Sequence, residues 1–257
     1  MKRYLVIIAA ILALAALVPA CGPGPAETGS PRAAIIDQLY LMEPNPAIIT
    51  EATAIMTSAG FTVDLWQGEN ITVDFYRQLP QRGYKFILLR AHSGTLMSLE
   101  GEKVTQLGTT YLFTGEKYTP TKYAAEQLTD KVSNAMMSDK YPLVFAVNSE
   151  FVAKDTKGSF ANTVILAMGC ESYYMDDMAA AFRQKGASTY IGWNTVVTLE
   201  HTDKATLDLL LNLCREKMTV AQAVARTMDN VGPDPYFETY LKYLSSDGDR
   251  GLQELIK

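Results

Sequence analysis

Two side chains with nucleophilic or proton-transfer chemistry stand directly after two apolar runs. His92 follows Phe86-Ile87-Leu88-Leu89-Arg90-Ala91, and Cys170 follows Val164-Ile165-Leu166-Ala167-Met168-Gly169. A thiol attacks a carbonyl only as thiolate, so it needs a base or an electropositive setting. An imidazole can supply that base and later protonate a departing amine. Backbone N–H groups in the turns after the runs, at Ser93, Gly94 or Cys170, can hold a developing oxyanion. Gly94 and Gly169 let the backbone approach a substrate closely. The chain has two histidines and three cysteines, so this pair has few competitors. His201, in Glu200-His201-Thr202-Asp203, reads as a solvated residue ahead of a helix. Cys214 shares a helical stripe with Leu207, Leu210 and Leu211, which assigns it to packing. The plainer reading of Cys170 is a small core residue, and of His92 a locally hydrogen-bonded ring.

For the two groups to meet, the runs that carry them must be adjacent strands. Apolar strands are expected at 33–41, 61–66, 84–91, 143–152, 162–169 and 188–193. Helices are expected at 46–60, 72–82, 121–138, 175–185, 203–216 and 220–229, with a hairpin excursion over 95–120. Strands alternating with helices predict an α/β fold, a three-layer αβα sandwich around a mostly parallel sheet of about six strands. In such sheets, ligands collect at the carboxyl ends of the strands, where His92 and Cys170 stand. No internal repeat is visible, so residues 33–257 read as one domain.

The chain of 257 residues carries 23 basic and 28 acidic side chains, a formal charge of −5. Nearly half of its residues are hydrophobic, enough to build a packed core. The acidic balance argues against a nucleic-acid groove. Lys2 and Arg3 precede an apolar run from Tyr4 to Ala20, and Cys21 follows Val18-Pro19-Ala20. This pattern reads as a secretory signal over residues 1–20. It resembles the bacterial lipoprotein signal, which implies that Cys21 is lipidated and anchors the chain to a membrane outside the cytoplasm. An uncleaved membrane anchor is the alternative. Residues 21–32, rich in Gly and Pro, are expected to form a flexible tether.

The blocks Leu88-Leu89-Arg90-Ala91-His92-Ser93-Gly94 and Asn162–Ser172 resemble the two signatures of clan CD, the caspase-like cysteine peptidases. The likeness is greatest to the CHAT group. It extends through Met178-Ala179-Ala180-Ala181-Phe182, Lys185–Trp193 and Met218–Val224, covering residues 84–230 loosely and 162–230 more specifically. Two positions depart from the family pattern: Ser93 stands where Gly is usual, and Gly169 where Ala or Ser is usual. The resemblance implies a caspase-like fold, a peptide or protein substrate, no cofactor or metal, and a His92–Cys170 catalytic dyad. Glu171, Asp176 and Asp177 cluster after Cys170, and an acidic pocket would favour Lys or Arg before the scissile bond. Asp176 and Asp177 equally suit the start of the following helix. Trp193 is a candidate subsite wall, or a packing aromatic. Two further readings stand beside an active peptidase: a catalytically inactive peptide-binding relative, and a solute-binding lipoprotein.

Overall fold

The computed structural model describes residues 29–100, 103–246 and 248–257. The signal segment and Cys21 therefore lie outside the described residues. In chain order the elements are β1 (Arg32–Asp37), α1 (Pro46–Ser58), β2 (Thr62–Gln67), α2 (Val73–Gln78), β3 (Phe86–Arg90), β4 (Ser93–Glu100), β5 (Lys103–Lys117), α3 (Ala124–Gln127) and β6 (Val132–Ala135). They continue with β7 (Val144–Asn148), α4 (Ser149–Lys154), β8 (Val164–Ala167), α5 (Asp177–Gln184), β9 (Thr189–Trp193), α6 (Leu199–Leu210), α7 (Val220–Val231), β10 (Leu241–Ser245) and α8 (Leu252–Leu255).

Six strands form the main sheet in the order β10-β9-β8-β3-β1-β2. Every pairing in it is parallel except β9 with β10. The central strands are apolar on both faces, as a sheet covered on both sides requires. Ala33, Ile35, Phe86, Leu88, Val164, Leu166 and Ile191 pack on one side with residues of α1, α6, α7 and α8. Ala34, Ile36, Ile87, Leu89, Ile165 and Tyr190 pack on the other with α2, α4 and α5. A one-residue slip would exchange the two faces of a strand. Both faces being apolar, the side-chain sizes and the helices' own registers must fix the alignment. The result is a three-layer αβα sandwich, and Ile87, Leu88, Val164, Ile165 and Leu166 lie in its core.

β3 and β8 are neighbours at the middle of this sheet, with Phe86 opposite Val164 and Leu89 opposite Ala167. Their carboxyl ends therefore coincide, which brings the loops bearing His92 and Cys170 to one edge. A second sheet, β4-β5-β7-β6, is antiparallel throughout. It begins at Ser93, so His92 sits at the joint between the two sheets.

Several boundaries differ from the sequence reading. The helix expected over 121–138 is confined to Ala124–Gln127. Asp130 then turns through a left-handed conformation (φ 56°), and Val132–Ala135 pairs with β7. Val132, Ser133 and Asn134 have weak helix preference, so strand pairing decides. The strand expected over 143–152 ends at Asn148, whose side chain caps α4 by accepting from the Phe151 N–H at 2.9 Å. It belongs to the second sheet. Arg32, assigned to the tether, is paired with Thr62 in the main sheet. The helix expected from Asp203 starts at Leu199, which moves His201 into its first turn. His201 is buried rather than solvated, its Nε2 3.1 Å from the Gly232 carbonyl. β10 and α8 had no counterpart in the reading. Among the described residues no helix is long and apolar enough to cross a membrane.

Candidate active site

The turn after β8 is pinned at almost every carbonyl. Ser172 Oγ donates to Ala167 O (2.9 Å), Thr202 Oγ1 to Met168 O (2.8 Å) and Ser93 Oγ to Cys170 O (2.6 Å). Trp193 Nε1 in turn donates to Thr202 Oγ1 at 2.9 Å. Trp193 is fully buried, so it supports this turn from below and is not a subsite wall. Glu171, next to the thiol, holds a left-handed backbone (φ 53°) that non-glycine residues adopt at a cost. Its N–H donates to Thr195 O at 3.0 Å, and its carboxylate accepts from the N–H and hydroxyl of Thr95, both at 2.8 Å. These bonds fasten the Cys170 turn to β4 and to the loop after β9.

Gly169 is required by close approach. A Cβ built there would lie 2.3 Å from the Ala91 carbonyl and 2.3 Å from Ser93 Oγ. The Ala91 carbonyl and the Ser93 side chain both occupy space that a residue larger than glycine at 169 would need. The same packing bears on the oxyanion donors. Phe113 N donates to His92 O at 3.0 Å, which makes Ser93–Leu112 a non-hydrogen-bonded pair of the antiparallel ladder. The Ser93 N–H therefore lies outside the ladder, whereas that of Gly94 points into it.

His92 and Cys170 line the same two cavities. One, of about 340 Å³, opens toward the second sheet and includes Ser93, Gly94 and Glu171. The other, of about 260 Å³, has apolar walls from Leu39, Met42, Met168, Val197 and Leu199, with Glu43 as its only acid. Asp176 and Asp177 line neither. Asp177 accepts from the Thr110 N–H and hydroxyl at 2.8 Å each, tying α5 to β5, and Asp176 is exposed beside Lys242. The acidic cluster expected from 171, 176 and 177 is dispersed. Among the described residues, no group of three or more His, Cys, Asp or Glu is placed to hold a metal ion.

The His92 Nε2 is buried and has no hydrogen-bond partner. Burial, with Arg90 adding to it, holds the imidazole below its usual range, while Glu43 pulls the other way. Burial also raises the Cys170 thiol, helped by the Glu171 charge and opposed by backbone hydrogen bonding at Val197. The thiol donates to that carbonyl at 3.4 Å. At neutral pH the resting pair is a neutral thiol and a neutral imidazole. Alkylation of Cys170 by iodoacetamide should therefore keep accelerating as pH rises past the ordinary thiol pKa of about 8.5. Cys214, pushed up to about 12 by burial, should react far more slowly, which mass mapping of the alkylated peptides will show. A rate plateau for Cys170 below pH 7 would contradict this assignment.

Searches against protein-family models and against curated proteins return no match.

Sequence reasoning missed the group that holds this edge together. Arg90 is buried, and its guanidinium bonds Asp37 Oδ1 (2.8 Å) and both carboxylate oxygens of Asp203 (2.8 and 2.9 Å). It also donates to the Glu43 carbonyl at 3.3 Å. Burial works against the charge, but the two carboxylates keep Arg90 protonated. Gln38 completes the frame by accepting from the His92 N–H at 2.9 Å. A signal was present: Arg90 and Asp37 each end an otherwise apolar run.

Proposed function

We propose that the chain is a caspase-like cysteine endopeptidase, held outside the cytoplasm by a lipid on Cys21. The observation that carries this reading is the unpartnered His92 Nε2 beside Cys170 in a shared cavity. A buried nitrogen left without a partner costs on the order of 1–3 kcal/mol, and folding alone gives no reason for it. Support comes from the likeness to clan CD signatures and from the adjacent β3 and β8. In the proposed reaction His92 takes the Cys170 proton as the sulfur attacks the peptide carbonyl. The N–H groups of Cys170 and Ser93 receive the oxyanion. His92 returns the proton to the departing amine, leaving a thioester, and water activated by His92 then releases the acid.

The preference for Lys or Arg before the scissile bond is proposed on a revised basis. The 260 Å³ cavity has apolar walls and one carboxylate, Glu43. That combination suits a long side chain with an apolar stem and a cationic head. The neutral resting thiol is the observation favouring the second reading, an inactive relative that binds peptides only.

Electrophilic peptides ending in Lys, Arg or norleucine, applied to residues 22–257, test both points. Labelling of Cys170 with Lys and Arg ahead of norleucine is expected, and Glu43→Gln should erase most of that ratio, on the order of tenfold. Labelling that favours norleucine would remove the basic preference and leave the peptidase. Absence of labelling by all three, with peptide binding retained, would leave the binding-only relative.

A further inference from the structure

The two edges of the main sheet differ in charge. At the carboxyl edge stand Asp37, Glu43, Glu171, Asp203 and Asp234. At the amino edge the chain places bases: Arg32 opens β1, Arg82 and Lys85 precede β3, and Lys157 and Lys185 lie in the loops entering β8 and β9. Lys257 lies there too, its carbonyl bonded by Asn162. Arg32, Arg82, Lys85 and Lys257 line one open cavity of about 680 Å³, together with Gly29, where the described chain begins. Asp64 bonds Arg32 at this edge, and Asp249 and Glu254 follow β10 there, so the bases outnumber the acids among the residues named. Arg82 lies over the Trp66 ring, 4.3 Å from its centroid, and its buried Nε has no partner. In a chain of net charge −5, this edge stands apart.

We propose that the amino edge of the sheet docks on an anionic phospholipid surface, its bases meeting headgroup phosphates. Three observations choose this occupant. The cluster is basic on an acidic chain, which matches an anionic plane. The chain arrives at this edge through Gly29, and the apolar run Tyr4–Ala20 precedes it. From Cys21 to Gly29 the backbone spans at most about 28 Å even when fully extended, so a membrane-held residue 21 keeps this edge near the bilayer. The inference does not depend on the peptidase reading. It fixes an orientation in which His92 and Cys170, at the opposite edge, face away from the membrane.

The core is built from residues 33–256, so a chain of residues 22–257 retains every packed element and lacks the lipid site. Its cosedimentation with phosphatidylcholine vesicles, with and without phosphatidylglycerol, tests the docking. Binding to the anionic vesicles alone is expected, and it should fall steeply as salt screens the charges. The triple variant Lys85→Gln, Lys157→Gln, Lys257→Gln changes half-exposed or exposed side chains, and its melting curve checks the fold. Its apparent affinity should drop on the order of 100-fold, roughly fivefold per lysine. Equal binding to both vesicle types, no binding to either, or an unchanged affinity in the folded triple variant would overturn the proposal.

Discussion

Cys170→Ala and His92→Ala should each lower the rate of peptide hydrolysis on the order of 10³-fold or more, the scale seen when one member of a catalytic unit is removed. The double variant should be little slower than either single one, because the two groups act as a unit. The proposed reaction gives each a role. Burial raises the Cys170 thiol, and in the proposed reaction the unpartnered His92 nitrogen takes its proton. Without Cys170 the proposed thioester has no sulfur to form on. Cys214→Ala serves as the control, since that thiol is buried in the layer of α1, α6 and α7, away from both site cavities. Turnover of a fluorogenic peptide ending in Lys measures all four chains. Full activity in Cys170→Ala, or loss in Cys214→Ala without loss of fold, would sink the assignment.

The second large effect concerns stability. Arg90→Met should cost about 3–5 kcal/mol, because it leaves buried carboxylates without their counter-charge. The contacts of Arg90 join four segments: the end of β1 at Asp37, its own β3, the Glu43 carbonyl before α1, and Asp203 in α6. Loss of the guanidinium also releases the frame beside His92, so labelling of Cys170 should fall with the melting temperature. Apolar replacement of the whole group, Arg90→Met with Asp37→Leu and Asp203→Leu, should recover a large part of the loss, since the desolvated charges disappear together. Denaturant unfolding of the single and triple variants gives the comparison. If Arg90→Met unfolds at the parent's denaturant concentration, the ion group is not what holds the edge.

The legible part of this protein was its central sheet. Ala33–Ile36, Phe86–Leu89, Val164–Ala167 and Tyr190–Trp193 are apolar runs with turn residues at their ends, and each becomes a buried strand. The His92 and Cys170 positions followed from where those runs stop. What could not be read depends on partners far away in the chain. Arg90 and Asp203 are 113 residues apart, and no local pattern announces their bond. Asp177 looked like a specificity residue by its nearness to Cys170 in sequence, yet β5 supplies its partners at Thr109 and Thr110. The strand β6 was mistaken for helix because its pairing with β7, not its composition, sets its shape. Trp193 ends a strand, as an aromatic at a cleft would, but the first turns of α6 cover it.

Ser93 and Gly169 share a single small volume, and this constrains how the sequence can diverge. Serine at 93 is accommodated with glycine at 169, and the Ala91 carbonyl presses on the same volume from the backbone. In any lineage with alanine at 169, the segment from Ala91 to Ser93 must sit farther from the Cys170 turn, and the hydroxyl bond to the Cys170 carbonyl is lost. A side chain at 169 should therefore be accommodated only with a shift of the backbone at 91–93, although 76 residues separate positions 93 and 169.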